Sequence, residues 1–345
     1  MTTARIAIAG AGLIGKRHAQ AMAQAAGASL AAIIDPLPAA AGFAAAEGVP
    51  YFPTLGAMLA AGGADGVILA TPNAQHVEGG LACLRAGLPV LVEKPLATDV
   101  AAARVLVEAA EAAGVPLAVG HHRRHNPLIA AAKAMIAGGE IGTVVSVHSM
   151  FWLFKPDDYF DVAWRREPGA GPVFINLIHD VDLLRYLVGE ITAVQAAQSS
   201  AVRGNRVEET AVLTLEFANG ALGTANVSDT IPAPWSWELT SGENPAYPQS
   251  SEACYLIGGT HGALELPAGR LWHNAGKRGW WEPLSARIGP RPSGDPLVLQ
   301  IEQFARVITA AEAPLVPGRE GLKTLAVIEA VKTSAREGCR IIVQN

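Results

Sequence analysis

Residues 5–15 read "RIAIAGAGLIG", an apolar run that ends in three glycines with the spacing G-x-G-x-x-G. The run has the length and the side chains of a buried strand, and residues 12–25 predict a helix directly after it. Glycines at such a junction permit a tight turn, close approach of a ligand to the backbone and close helix packing. An acid, Asp35, follows about 20 residues later at the end of a second apolar strand, as the dinucleotide-binding fingerprint requires.

Strands and alanine-rich helices continue to alternate over the first third of the chain. We predict strands at 5–12, 29–36, 66–72, 89–95 and 116–122, with helices between them at 12–25, 37–47, 74–87 and 98–114. Nearly continuous apolar strands separated by helices indicate a parallel sheet that is covered on both faces. Right-handed crossovers then give an α/β, doubly wound Rossmann domain, which we place at residues 1–123.

The pattern changes in the second part of the chain, residues 124–345. Strand-like segments are predicted at 144–154, 190–201, 207–217, 221–228 and 252–257, and helices at 126–139, 174–188, 296–311 and 318–336. Successive strands joined by turn signals predict a mostly antiparallel sheet, so we expect an α+β domain here. Residues 229–251 are the least regular stretch, and a loop of this length is more often functional than accidental.

Composition restricts the class of protein. The chain has 345 residues, of which 50% are hydrophobic and 17% charged, and this is typical of a well-buried globular protein with two domains. A net charge of −5 gives no basic footprint for nucleic acid. We expect no membrane segment, no signal peptide and a cytoplasmic location. The three widely spaced cysteines, Cys83, Cys254 and Cys339, show neither a zinc spacing nor a disulfide framework, and we expect no metal.

The glycine turn predicts a nucleotide site. Its N–H groups and the positive end of the following helix suit a pyrophosphate, and Asp35 suits the ribose hydroxyls. A 2′-phosphate would meet this carboxylate, and Pro36 supplies no positive charge, so NAD is favoured over NADP unless a basic side chain lies near. The residues predicted to form the turn are Gly10, Gly12, Leu13, Ile14 and Gly15.

Three polar clusters follow predicted strands, at the carboxyl edge where an open parallel sheet binds its ligands. Each by itself is equally typical of a polar cap, but three at one edge favour a site for the nicotinamide. The first cluster and, from the second, Glu93 and Lys94 are predicted to contact the cofactor. The clusters are Thr71, Pro72, Asn73 and His76; Glu93, Lys94 and Pro95; and His121, His122, Arg123, Arg124 and His125.

Taken together, four motifs resemble the glucose–fructose oxidoreductase and inositol 2-dehydrogenase family. They are "AGAGLIGKRH" (9–18), "TPNAQH" (71–76), "EKP" (93–95) and "INLIHDVDLLRYLVG" (175–189). The resemblance implies NAD(P)-dependent oxidation or reduction of a sugar, an inositol or a related ring alcohol. It also implies a second domain with a large open sheet that makes homodimer or homotetramer contacts.

The resemblance implies two catalytic residues. Lys94 would orient the reacting hydroxyl, where an ammonium stabilises a developing alkoxide. His179 would act as the general base or acid, since a histidine pKa lies near working pH. Glu93 is then the partner that orients the lysine or its turn, and the Lys94–Pro95 bond is expected to be cis.

The sequence departs from the family pattern at one position. Many members carry an aspartate four residues before the histidine, and that position is Ile175 here. Asn176 is the polar candidate nearby, but an amide takes no proton at neutral pH. The departure weakens the inositol assignment more than the dehydrogenase assignment, and leaves a cis-dihydrodiol dehydrogenase or a keto-sugar reductase open. A non-catalytic NAD-binding regulator is a further alternative, although it would have no need of Lys94 and His179.

Other side chains are candidates for binding the substrate. Trp164 and Arg165 precede the His179 helix, Arg123 follows the last strand of the Rossmann domain, and Trp235 lies in the irregular loop. A surface ion pair explains Arg123 equally well, and a core or interface position explains Trp235 equally well. The full predicted substrate set is Lys94, Arg123, Trp164, Arg165, Asn176, His179 and Trp235.

Overall fold

The computed structural model describes residues 3–344, which form two compact units. The first unit contains the residues up to Asn126 together with Gly294–Leu325, and the second contains Pro127–Ser293 together with the residues from Ala326 onward. The first boundary lies close to the expected one at residue 123. The segment 294–325 differs from the expectation, because it belongs to the first unit and not to the second.

Fifteen strands and ten α-helices are formed by the described residues. The strands are β1 (Ala4–Ala9), β2 (Ala28–Ile34), β3 (Tyr51–Phe52), β4 (Gly66–Leu69), β5 (Val90–Val92), β6 (Leu117–Val119), β7 (Val144–Trp152), β8 (Ile191–Ser199), β9 (Thr210–Phe217), β10 (Leu222–Ser228), β11 (Tyr255–Gly259), β12 (Gly262–Leu266), β13 (Arg270–Asn274), β14 (Leu284–Ile288) and β15 (Ile341–Ile342). The helices are α1 (Leu13–Met22), α2 (Ala39–Ala46), α3 (Leu55–Ala61), α4 (His76–Arg85), α5 (Val100–Ala113), α6 (Pro127–Ala137), α7 (Ile178–Leu187), α8 (Trp237–Thr240), α9 (Pro296–Ile308) and α10 (Gly318–Glu337).

The sheet of the first unit has the order β3-β2-β1-β4-β5-β6, and all of its strands are parallel. This confirms the doubly wound Rossmann fold. The direction of the strand order reverses between β1 and β4, and an open α/β sheet binds its ligands beyond the carboxyl ends of the strands at such a point. The glycine turn follows β1 and Thr71 follows β4, so both lie at this crevice.

Helix α9 explains why 294–325 joins the first unit. Asp295 caps the helix by accepting the Leu297 N–H at 3.0 Å, and Pro296 occupies the first helical position. Leu297, Ile301 and Phe304 are buried in the same core as the side chains of β1, β2, β4 and β5. Burial of each large apolar side chain contributes about 1.5–3 kcal/mol, so this helix is part of the Rossmann core.

The second unit is built on a nine-stranded sheet of order β14-β13-β12-β11-β7-β10-β9-β8-β15. Its pairs are antiparallel except β7 with β10, which run parallel. The sheet is therefore mixed but mostly antiparallel, as expected. Strands β12, β13 and β14 had no clear sequence signal, because they are short and carry many half-exposed side chains.

Candidate functional site

The glycine turn is shaped by close backbone contacts that only glycine allows. Gly10 has φ +97°, and a Cβ there would lie 2.4 Å from the carbonyl oxygen of Ala70. A Cβ on Gly15 would lie 1.8 Å from the carbonyl oxygen of Gly10. By contrast, a Cβ on Gly12 would meet no protein atom within 4 Å. Space therefore remains above the second glycine, where the fingerprint places a pyrophosphate.

The first turn of α1 faces this space without a protein cap. Gly12 is the N-cap residue in an extended conformation, and no side chain caps the helix within the described residues. Leu13 is 92% exposed, and Ile14 is half-buried beside it. The N–H groups and the positive dipole end of this ten-residue helix fit an anionic group.

Asp35 closes the other side of the turn. One carboxylate oxygen accepts the Ala11 N–H at 2.8 Å and the other accepts the Leu37 N–H at 2.8 Å. A cavity of about 460 Å³ adjoins this carboxylate and is lined by Gly10, Asp35, Thr54, Thr71, Gln75 and Glu78, among others. Among the described residues that line it, none is Lys or Arg. The turn, the acid and the cavity fit a dinucleotide, with the adenosine end beside Asp35.

The first polar cluster places Thr71 at the crevice and His76 beneath it. The Thr71 hydroxyl oxygen is buried and has no hydrogen-bond partner within residues 3–344. Pro72 is exposed and Asn73 is half-buried in the turn that follows. His76 is fully buried, and its two ring nitrogens lie 2.9 Å from the carbonyl oxygens of Pro95 and Thr71. His76 therefore joins the loops that follow β4 and β5, and its direct contact with the cofactor stays a prediction.

The second cluster is held by a buried hydrogen bond between His18 and Glu93. Glu93 accepts a hydrogen bond from His18 at 2.7 Å and from the Lys94 N–H at 3.1 Å. A Cβ on Gly120 would lie 2.9 Å from the Glu93 side chain, so the glycine leaves the room that this carboxylate occupies. The Lys94–Pro95 bond is cis, as expected. Glu93 thus fixes the backbone at Lys94, and His18, which the sequence analysis did not single out, completes the pair.

Burial alone would raise the pKa of Glu93. The hydrogen bond from His18 and the electrostatic influence of His18, His122 and Lys94 outweigh this effect and lower the pKa of Glu93 to about 2. The carboxylate is therefore ionised throughout the neutral range, and it remains an acceptor for both of its partners.

Most side chains of the third cluster are buried within the first unit. Arg123 is 3% exposed, in the 3₁₀ segment His122–His125 that packs against α9. Arg124 forms an ion pair with Glu320 at 3.1 Å. These positions make Arg124 a structural residue, whereas the substrate role of Arg123 stays a prediction.

The segment before α7 in the second unit is a π-helix over Val173–Leu177, which the sequence pattern did not indicate. Such widened turns occur frequently at functional sites. Glu208 holds its start by accepting the Val173 N–H at 3.1 Å. Asn176 lies in this segment and is half-buried, as is Ile175, while His179 in the first turn of α7 is 7% exposed.

A buried lysine that the sequence analysis missed contacts this segment. Lys155 follows β7, and its Nζ lies 3.0 Å from Asn176 Oδ1 and 3.3 Å from Asp229 Oδ2. Burial lowers the pKa of Lys155, although Asp229 opposes the shift. A signal was present in the sequence, because "LFKP" (153–156) repeats the pattern of "VEKP" (92–95): a lysine and a proline directly after an apolar strand.

Three other predicted substrate residues lie in the second unit, and Arg165 reaches the same cluster. Arg165 donates to the Tyr159 carbonyl oxygen at 2.8 Å, and its guanidinium lies 4.1 Å from the centre of the Tyr159 ring. Lys155 Nζ lies 5.2 Å from the same ring centre. Trp164 is 56% exposed beside Arg165. Trp235 packs edge-on against Trp152, at the end of β7, with ring centres 5.5 Å apart. The structure thus brings Arg165 and Asn176 to one cluster through Tyr159 and Lys155.

Residues 3–344 form neither a metal-binding cluster nor a membrane-spanning helix. No group of three or more His, Cys, Asp or Glu side chains is arranged to hold a metal ion. No helix formed by these residues has both the length and the apolar character needed to cross a bilayer.

Comparison with known proteins agrees with the geometry. Residues 4–121 match the model of an oxidoreductase family with an NAD-binding Rossmann fold, and residues 129–265 match the GFO/IDH/MocA C-terminal domain. Similar proteins include the rhizopine catabolism protein MocA of Rhizobium meliloti, which is 30% identical over 74% of this chain and 83% of its own length. Inositol 2-dehydrogenase 2 of Saccharopolyspora erythraea is 33% identical over 64% of this chain and 65% of its own length.

A solved structure extends the likeness over the whole chain. The WlbA dehydrogenase from Bordetella pertussis, in complex with NADH and UDP-GlcNAcA, is 30% identical. The alignment covers 99% of each chain with a TM-score of 0.80.

Proposed function

Because the chain belongs to the GFO/IDH/MocA family of NAD-binding oxidoreductases, we propose that it oxidises a secondary alcohol of a sugar, an inositol or a related ring polyol. One observation carries the proposal. The glycine turn, Asp35 and the Glu93–Lys94 pair all lie at the carboxyl edge of one parallel sheet, so the nucleotide site and the lysine expected to act on the substrate share that edge. The inositol in the name of one relative and the UDP-GlcNAcA bound by another support the substrate class.

The residues proposed to hold the cofactor are those of the turn and of its two neighbouring loops. NAD is the preferred form, because Asp35 and Glu78 are the charged side chains among the described residues that line the cavity beside the turn. A 2′-phosphate there would meet carboxylates without a basic partner, and such a contact is costly. The proposed set is Gly10, Gly12, Leu13, Ile14, Gly15, Asp35, Thr71, Pro72, Asn73, Glu93 and Lys94, with His76 supporting the loops.

The chemistry assigned to the chain's own residues is proton transfer and stabilisation of an alkoxide. NAD, when bound, supplies the acceptor for the hydride that leaves the substrate carbon. The Lys94 ammonium donates a hydrogen bond to the reacting oxygen as its charge develops. The imidazole of His179 takes the hydroxyl proton and returns it in the reverse reaction. Ile175 supplies no carboxylate to this histidine, so His179 acts without the aspartate expected of many relatives.

A substrate screen tests the activity. Polyols, aldoses, inositols and dihydrodiols are offered with NAD and NADP in parallel, and the absorbance of the reduced nicotinamide is followed. We expect turnover of at least one ring polyol or sugar, with NAD preferred. Absence of turnover with every compound, in a protein that still binds NADH, would leave a non-catalytic regulator as the better description.

A histidine variant tests the mechanism. His179→Ala is expected to lower kcat about 10²- to 10⁴-fold, the usual contribution of a general base, while the Kd for NADH stays unchanged. His261→Ala, which removes an exposed histidine of the same unit, is the matched control. Wild-type kcat in the His179 variant would remove this residue from the mechanism.

We further propose a homodimer or homotetramer formed through the nine-stranded sheet. Along β9, β10 and β11 the buried side chains alternate with Val212, Leu222 and Leu256, which are all exposed. Apolar side chains on the open face of a sheet mark an interaction surface. Leu256→Glu should lower the mass measured by light scattering after gel filtration, and an unchanged mass would exclude this face.

A cytoplasmic location is also proposed. Within the described residues, none of Cys83, Cys254 and Cys339 forms a disulfide. Proteins of oxidising compartments tend to join their cysteines in disulfides, so three cysteines without a disulfide favour a reducing compartment.

A further inference from the structure

The nine-stranded sheet ends in a strand that has a partner on one side only. Strand β14 (Leu284–Ile288) pairs with β13 and, within residues 3–344, with no other strand. The strand at the other end of the sheet, β15, has two residues, and so short an edge offers little backbone to a further strand. Because β14 has five residues, it leaves a longer row of backbone N–H and C=O groups on its outer side.

The edge strand is apolar on one face. Alternate residues of a strand point to the same face, and on β14 these are Leu284, Ala286 and Ile288, all exposed. Leu284 is 66% exposed and Ile288 is 69% exposed. Cross-strand pairs through β13 and β12 place Ile288 in one row with Leu256, so this is the open face of the sheet. The edge therefore extends the apolar surface that carries Leu256.

Within its five described residues, β14 lacks the devices that usually protect an edge strand, namely outward charges, a bulge or an internal proline. Its charged residue, Arg287, forms an ion pair with Glu140 on the face opposite to that of Ile288. All five residues pair with β13 in a continuous register. Pro283 and Pro290 lie outside the strand, so they limit its length without blocking it.

A pair of exposed tryptophans adjoins the edge. Trp280 and Trp281 are 89% and 86% exposed, and their ring centres lie 5.4 Å apart. The loop that carries them ends at β14, where Asn274 of β13 donates to the Pro283 carbonyl oxygen at 3.1 Å. Tryptophan buries about 150–250 Å² in a contact, and a stable interface buries about 800 Å² per partner. The two rings therefore supply a large share of the area that association of two chains needs.

A second copy of β14 is complementary to this edge. Two identical antiparallel strands pair about a twofold axis, and because alternate residues turn their backbone groups outward, one residue lies opposite itself. With Ala286 on the axis, Leu284 lies opposite Ile288 of the partner subunit. Ser285 lies opposite the partner's Arg287, and every residue of both strands is paired. Apolar side chains thus meet apolar side chains, and no like charges face each other.

The prolines that flank the strand exclude the other registers. An axis at any other residue of β14 brings Pro283 or Pro290 of one copy opposite a strand residue of the other. Proline has no N–H to donate to the ladder, so each of these registers loses a hydrogen bond. An axis at Arg287 also sets two guanidinium groups directly opposite each other, which is destabilising. Ala286 is therefore the residue of the strand at which the axis fits best.

The same register gives the exposed tryptophans a contact. Continued beyond the strand, it brings Trp281 level with the partner's Arg291. It brings Trp280 level with the partner's Pro292. A guanidinium at the face of an indole ring is a favourable contact, and tryptophan and arginine are both enriched at protein interfaces. The loop and the strand thus belong to one surface.

We propose that β14 pairs with β14 of a second copy of this chain about a twofold axis at Ala286, so that two nine-stranded sheets join edge to edge. The tandem tryptophans pack against the partner segment that follows its own β14. This contact is separate from the open-face contact that Leu256→Glu tests. Either contact alone gives a dimer, and the two together give a tetramer. The inference extends the proposed homo-oligomer and does not depend on the dehydrogenase activity.

Cysteine cross-linking tests the register. Ala286→Cys is made together with Cys339→Ser, since Cys339 is the exposed cysteine and the other two are buried. Residues opposite each other in an antiparallel pair have Cα atoms about 4.5–5.5 Å apart, within reach of a disulfide. Oxidised glutathione should therefore convert most of this variant to a covalent dimer on a non-reducing gel.

Leu284→Cys in the same background is the matched control. It is exposed on the same face of the same strand, but four residues separate it from its own copy, a distance of about 13 Å. It should remain uncross-linked, whereas a chain that carries both Leu284→Cys and Ile288→Cys should again form a dimer. Equal cross-linking of Ala286→Cys and Leu284→Cys would show random collision and would overturn the inference.

A charge exchange on the axis tests the contact without oxidation. Ala286→Lys sets two ammonium groups opposite each other, and Ala286→Glu sets two carboxylates, so each variant should halve the mass measured by light scattering. An equal mixture of the two variants should recover the wild-type mass, because opposite charges then meet. Val202→Lys, at an exposed position outside the edge, should leave the mass unchanged.

The outcomes separate this contact from the proposed open-face contact. A wild-type oligomer that Leu256→Glu dissociates, and that neither cross-links at Ala286 nor responds to the charge variants, would overturn the edge contact alone. A wild-type protein that is monomeric in light scattering would overturn both contacts. None of these measurements requires turnover, so a failed substrate screen leaves the edge contact open to the same test.

Discussion

Replacement of Glu93 by glutamine removes the charge on which the turn at Lys94 depends. The folded protein lowers the pKa of Glu93 from 4.5 to about 2, because the hydrogen bond from His18 and the surrounding positive charges outweigh the cost of burial. At about 1.4 kcal/mol for each pKa unit, the ionised carboxylate stabilises the folded state by about 3 kcal/mol at neutral pH. Glu93→Gln should therefore lower the free energy of unfolding of the first unit by up to about 3 kcal/mol.

The stability that Glu93 contributes depends on pH, and the direction of this dependence follows from the lowered pKa. Because folding lowers the pKa, the contribution of Glu93 is complete above about pH 4.5 and is lost as the pH falls toward 2. The difference in stability between the wild-type protein and Glu93→Gln should be largest at pH 7. It should shrink progressively below pH 4.5.

The assay must report on the first unit. All seven tryptophans lie in the second unit, so their fluorescence follows the wrong part of the chain. Urea unfolding is better followed by far-ultraviolet circular dichroism together with hydrogen exchange of the β1 and β5 amides. Glu111→Gln is the control, since Glu111 forms an exposed ion pair with Arg319 and such pairs contribute less than about 1 kcal/mol. Equal stability of Glu93→Gln and the wild-type protein at pH 7, or a difference that does not shrink in acid, would refute the reasoning.

Three further predictions concern the cofactor site, the core and the thiols. Asp35→Ala should raise the Kd for NADH about 10- to 100-fold and narrow the preference over NADPH, as measured by fluorescence titration; an unchanged preference would exclude Asp35 from the ribose site. Phe304→Ala should destabilise the first unit by about 3–5 kcal/mol in urea unfolding, whereas Val105→Ala at an exposed position should have little effect. A thiol reagent at pH 8 should modify Cys339 alone in the folded protein, because Cys83 and Cys254 are buried and burial raises the pKa of Cys83 to about 12. Rapid reaction of a second thiol would contradict this prediction.

The Rossmann domain and its cofactor turn were predictable because their signals are local. A glycine spacing, an acid at a strand end and runs of apolar residues are each contained in a few consecutive positions, and the fold follows from their order. The short β3 and α3 were missed, because two paired residues and two helical turns give too little periodicity to recognise.

The second unit was less predictable, because its important pairings join distant parts of the chain. The parallel pairing of β7 with β10 and the assignment of α9 to the Rossmann core depend on side chains that meet only after folding. His76 and Glu93 illustrate the same limit at the site. The sequence predicted both residues at the crevice. Only the structure shows that His76 is enclosed by backbone carbonyl oxygens and that the neighbours of Glu93 keep its carboxylate ionised.

The sequence by itself determined the family, the nucleotide turn and the positions of Lys94 and His179, since each depends on residue type at a fixed local spacing. Only the tertiary structure decided which side chains surround Asn176. Lys155, Asn176 and Asp229 come from three separate segments, and their hydrogen bonds form where β7, the π-helical turn and the end of β10 converge. Burial makes that convergence decisive, because a buried ammonium must find acceptors, and Asn176 Oδ1 and the Asp229 carboxylate supply them.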